Sequence, residues 1–188
     1  MVAETRIDGI SQAGIGQAQL VEAICGSTQD VFTTMLGMEI APQPAYVAKT
    51  APGPAEGVVS LIGLAGKWVG TGSVSCSAPF AIQLSSQLLM CEFQAVDAEV
   101  LDAVAEVTNM IIGNVKTAIE DTLGPLGLSI PTVIYGRNFT THSVGNNEWV
   151  VVPFLCGEER MDVQLCLAPA RGGAFSRMAL ANPEAVHA

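Results

Sequence analysis

The sequence predicts an α/β (α+β) fold in which a largely antiparallel sheet is covered by two long helices. Two separated stretches carry apolar residues at helical spacing, and segments rich in β-branched residues, divided by short turn signals, fill much of the remainder. With 49% of the 188 residues apolar and 14% charged, there is material for one sizeable core.

The elements follow in chain order. Residues 1–15 hold Gly and Ser with no steady period and read as an edge strand or a loose arm. From Gln17 to Leu36, Leu20, Val21, Ile24, Val31, Phe32 and Met35 recur at about 3.6 residues, with Gly37 placed to end the helix. Pro42, Pro44, Pro52 and Pro54 make residues 41–56 an extended connector. Gly57–Leu64 and Lys67–Ser77 read as strands joined by a turn at Ala65-Gly66-Lys67. Pro79 suits the first turn of a short helix over Phe80–Met90, and Asp97 opens a long one that Gly124 and Pro125 stop near Leu123. Strands are then expected at Thr132–Tyr135, Asn138–Val144, Glu148–Leu155 and Met161–Leu167. Turns at Gly145-Asn146-Asn147 and Cys156-Gly157-Glu158 would make them an antiparallel meander. Residues 1–168 are expected to form one domain, and 169–188 a partly disordered tail.

Composition excludes several function classes. Eight Lys and Arg against 18 Asp and Glu give a net charge of −10, without the basic face that nucleic-acid binding needs. No apolar run reaches the ~18 residues of a membrane span. The N-terminus lacks a basic-then-apolar signal sequence. Five cysteines (Cys25, Cys76, Cys91, Cys156 and Cys166) form no CxxC pair and read as buried free thiols in a reducing compartment, so the chain is expected to be cytoplasmic. His142 and His187 have no partner at metal-ligand spacing. Gly66-Lys67 lacks the upstream glycine of a phosphate-binding loop, and His142-Ser143 would point to opposite strand faces. Trp68 and Trp149 fall in strands and are expected to pack in the core.

The long helix carries the most informative pattern. On a wheel of ~100° per residue, Val100, Val104, Val107, Ile111, Val115 and Ala118 share an apolar arc that must be buried. Asp102, Glu106, Asn109 and Gly113 fall on the opposite side. Glu106 and Asn109 are i, i+3 neighbours able to reach one external object, and Gly113 removes a side chain one turn beyond. Asn and Gly are poor helix formers, and an interior Gly costs ~1 kcal/mol against Ala. A lone Glu-x-x-Asn arises easily by chance. With Asp four residues before and Gly four after, the pattern is far rarer. An ordinary solvated helix face remains the competing reading of these residues.

Asp102-x-x-x-Glu106-x-x-Asn109-x-x-x-Gly113 resembles the signature helix of the CheC, CheX and FliY phosphatases. Asp30–Ile40, the hairpin Val58–Ser77 and the segment Leu128–Gly136 with its Pro131 resemble other parts of that family. Three residues after Glu22 comes Cys25, so the first helix lacks the motif. A single motif helix resembles CheX rather than CheC.

The resemblance implies a response-regulator (CheY-type) aspartyl-phosphate phosphatase acting in chemotaxis. Its fold would be CheC/CheX-like, and it would pair as a homodimer through sheet edges. It implies Asn109 and Glu106 as catalytic residues. Asn109 would position the attacking water, and Glu106 would anchor the active-site lysine of a phosphorylated receiver domain. Asp102 and Gly113 would bind the partner, although helix solubility accounts for Asp102 equally well. The chain would have no cofactor of its own, and the Mg²⁺ would belong to the receiver. Two alternatives stand beside this: a non-catalytic interaction module of the flagellar-switch type, and a phosphatase of a receiver outside chemotaxis.

Overall fold

The computed structural model describes residues 15–49, 56–137 and 148–170. The expectations for the N-terminal arm, for a strand at 138–144 with its 145–147 turn, and for the tail beyond 170 lie outside the described residues, as do His142 and His187.

Helix α1 (Gln17–Val31) continues into one π-helical turn, Phe32–Leu36, and ends at Gly37, whose φ of 61° is the left-handed stop that glycine adopts without a Cβ clash. Two short strands follow, β1 (Ala41–Pro42) and β2 (Tyr46–Ala48). The long hairpin β3 (Glu56–Gly66) and β4 (Trp68–Cys76) turns at Lys67. Ser77 caps α2 (Ala78–Leu89), its hydroxyl accepting from the Phe80 N–H, with proline in the first turn. Asp97 caps α3 (Ala98–Leu123) through the Val100 N–H at 3.0 Å, and Gly124, at φ 81°, stops it. The chain closes with β5 (Leu126–Leu128), β6 (Thr132–Arg137), β7 (Trp149–Cys156) and β8 (Glu159–Pro169).

All strand pairs are antiparallel, in the order β1-β7-β8-β4-β3-β5, with β2 also on β7 and β6 also on β3. The expected meander is corrected here. β7 and β8 form its hairpin, closing at Gly157 with φ 61°, but β6 pairs with β3 at the far side of the sheet, from Glu56↔Arg137 to Leu61↔Thr132. The β3–β4 hairpin fills the centre, so the chain crosses the sheet between β6 and β7. β8 runs to Pro169, which pairs with Trp68.

The main core lies between the sheet and the three helices. Val100, Val104, Val107, Ile111 and Val115 of α3 are buried in it, each contributing ~1.5–3 kcal/mol by leaving water. The buried arc is wider than the wheel predicts, because Thr108, Ile112 and Ile119 are also covered. α3 lies so close to β4 that a Cβ on Gly72 would come 2.8 Å from the Ile112 side chain. Two expected core residues lie on the surface, and Val21 is only half-buried. Met35 is 53% exposed in the π-helical turn, and Ala118 is exposed at the edge of α3 facing α1. Trp149 is buried, while Trp68 is half-buried against the core edge.

Candidate functional site

The cap at Asp97 and the buried apolar arc together set the rotation of α3 and turn one stripe of it to solvent. Asp102 and Glu106 on that stripe are exposed, while Asn109 and Gly113 are half-buried. At 1.5 Å rise per residue, Glu106 and Asn109 stand about 4.5 Å apart along the axis, and the four residues span about 16 Å. All four sequence-predicted site residues therefore share one surface.

Among the described residues, the side chains of Asp102, Glu106 and Asn109 make no hydrogen bond or ion pair, so their polar atoms are available to another molecule. The next polar residues along the helix are engaged. Thr117 Oγ1 donates to the Gly113 carbonyl at 3.0 Å, and Lys116 Nζ meets Glu120 Oε2 at 2.9 Å. Glu120 Oε1 also accepts the Leu126 N–H at 2.7 Å, which ties the helix end to β5. That backbone donor, with Lys116, holds the Glu120 carboxyl below the usual glutamate range. A Cβ on Gly113 would touch only Leu128 Cδ1, at 3.8 Å.

Beside the stripe, between α1 and α3, runs a groove of about 580 Å³ that the sequence reading did not identify. Glu22, Gly26, Ser27 and Asp30 line it from α1, and Asn114 and Thr117 from α3. Its only signal in the sequence was Gly26, an interior helical glycine.

The cysteines are all unpaired, as expected, but not all buried. Cys91 is exposed, Cys25 and Cys156 are half-buried, and Cys76 and Cys166 are buried. Burial pushes the Cys76 thiol up to about 12 and Cys166 to about 11, so neither supplies a thiolate near neutral pH. No helix among the described residues is long and apolar enough to cross a membrane.

Against known proteins, residues 58–155 match the family model of the chemotaxis phosphatase CheX, a span that includes most of β3 and all of β4 and α3. The chain is similar to the CheY-P phosphatase CheX of Thermotoga maritima, 26% identical over 129 residues, covering 68% of this chain and 83% of that one. It is similar in structure to the chemotaxis protein CheX from Desulfovibrio desulfuricans, with a TM-score of 0.70, 28% identity and coverage of 79% and 99%. It shares its fold with the Borrelia burgdorferi CheX–CheY–BeF3–Mg²⁺ complex, at a TM-score of 0.68, 24% identity and coverage of 87% and 99%. A family match over more than half of the chain, on the helix that displays the stripe, places this chain in the chemotaxis phosphatase CheX family.

Proposed function

We propose that this chain is a cytoplasmic phosphatase that dephosphorylates the aspartyl phosphate of a CheY-type receiver domain in chemotaxis. The observation that carries the reading is the pairing on α3 of an exposed Glu106 with a half-buried Asn109, neither with a partner of its own among the described residues. The Thermotoga maritima relative is a CheY-P phosphatase, and the Borrelia burgdorferi structure holds its CheX with CheY, BeF3 and Mg²⁺. Both support the choice of substrate.

Phosphoryl transfer asks a protein mainly for positioning and electrostatics. The Asn109 amide suits an attacking water lying in line with the scissile P–O bond. Its carbonyl accepts from the water, its NH₂ donates to a phosphoryl oxygen, and it does not titrate near neutral pH. Glu106, one turn earlier, pairs with the receiver's active-site lysine and holds the helix in register with the phosphate. Asp102 extends the contact, and Gly113 lets the two backbones approach. The receiver brings the Mg²⁺, and this chain contributes the amide and the anchor.

The homodimer belongs to the same proposal. β6 pairs on one side only among the described residues, leaving Tyr135 exposed on an edge able to add a strand, and a solution mass of twice the chain would support it. The deciding experiment mixes the chain with phosphorylated CheY-type receiver domains and Mg²⁺ and follows loss of the phosphoryl group. Acceleration that Asn109→Ala removes from a folded protein is the expected result. Binding without turnover would instead make the chain an interaction module.

A further inference from the structure

The groove between α1 and α3 has features that the fold does not require. Gly26 sits inside α1, where glycine is the least favourable ordinary residue, yet a Cβ built on it would meet nothing within 4 Å. Packing within the chain therefore does not demand a glycine at this position. Ser27, beside it, is only 7% exposed, and its hydroxyl lines the groove with no hydrogen-bond partner among the described residues. Its Oγ is not sealed from solvent, so it can bond to whatever enters the groove.

The groove also carries net negative charge. Glu22 and Asp30 line it, and no cationic side chain does. Lys116, the lysine of α3, is held by Glu120. Thr117, whose hydroxyl donates to the Gly113 carbonyl, lines the groove together with Asn114, so the groove begins on the same helix where the stripe ends at Gly113.

We propose that the α1–α3 groove is a second contact surface for the receiver domain and takes a lysine- or arginine-bearing segment of it. Glu22 and Asp30 supply the counter-charge, Ser27 and Asn114 supply acceptors, and Gly26 leaves room for the segment to approach α1. The proposal rests on the phosphatase reading and adds to it a determinant of which receiver binds.

The test titrates the full chain with CheY-type receiver domains loaded with beryllofluoride and Mg²⁺, by calorimetry at low and moderate salt, alongside steady-state dephosphorylation. Two groove variants are compared with the wild type, Glu22→Lys/Asp30→Lys and Gly26→Leu. The second fills open space in a helix, so its thermal midpoint should not fall. Both are expected to raise Kd by about tenfold or more, the loss falling on KM rather than kcat. The charge reversal should also flatten the salt dependence of Kd. Asn109→Ala is the reference, losing turnover while still binding. If both groove variants bind as tightly as a wild type that dephosphorylates the receiver, the groove proposal is overturned and the phosphatase reading stands. A wild type that binds without turnover overturns the phosphatase reading, and the groove variants still decide the groove. A wild type that neither binds nor dephosphorylates any receiver overturns both.

Discussion

Gly113 and Leu128 are separated by the width of an ordinary contact, since a Cβ built on Gly113 would lie 3.8 Å from Leu128 Cδ1. Neither φ nor packing requires glycine there. Gly113→Ala is therefore expected to stabilise the fold by about 1 kcal/mol, the helix-propensity difference. If the missing side chain makes room for a receiver backbone, the same variant should weaken dephosphorylation. Urea unfolding and a turnover assay on one preparation separate the effects, and a more stable variant with full activity would refute the docking role.

Glu106 and Asn109 are expected to fail in different ways. Removing an amide that acts on the water and the phosphoryl oxygens should lower kcat about a hundredfold or more for Asn109→Ala, with little change in KM. Removing an anchoring charge should act mainly on association, so Glu106→Ala is expected to raise KM about tenfold and to reduce the salt dependence of binding. Both side chains leave no hydrogen bond behind among the described residues, so the thermal midpoints should match the wild type. A fall in kcat alone for Glu106→Ala would reverse its assignment.

What could be read from the sequence was local. Asp97, Pro79, Gly37 and Gly124 act within one helical turn, and each sits where its chemistry placed it. The stripe was legible for the same reason, since helical periodicity alone sets Glu106 and Asn109 on one face. Strand pairing depends on distant segments. Nothing in Thr132–Arg137 says that its neighbour is β3 rather than β7. The wheel treated α3 as facing only a sheet, but α1 and α2 also pack against it, so its buried arc is wider and Ala118 is left on a groove edge. The groove requires two helices side by side, so Gly26 alone could not announce it.

The Glu120 carboxylate should make part of the stability depend on pH. Its pKa is lowered in the folded state by the Leu126 N–H and then by Lys116, so its contribution is complete above the ordinary glutamate range. That contribution is lost as pH falls through the ordinary range towards the depressed folded value. Glu120→Gln keeps an acceptor for Leu126 and removes the titration. Urea midpoints at about pH 7 and about pH 3 should therefore fall further for the wild type than for Glu120→Gln. An equal fall would show that this carboxylate does not carry the dependence.

At the sheet centre, Gly70 is the glycine the fold can least spare. It pairs with Leu167, and a Cβ there would sit on the Cys166 carbonyl oxygen, with Leu167 Cδ2 only 2.9 Å away. A backbone oxygen in a ladder cannot swing aside as a side chain can, so Gly70→Ala must push β4 from β8. The expected cost is about 1–3 kcal/mol, which lowers the thermal midpoint by about 2–10 °C for a chain of this size. Gly72→Ala should cost less, since the Ile112 atoms 2.8 Å away belong to a side chain that can shift. Gly26→Ala, in open space, should raise the midpoint. Calorimetry on the three variants tests the order. A Gly70→Ala protein as stable as the wild type would mean that β4 and β8 do not lie as closely as this sheet requires.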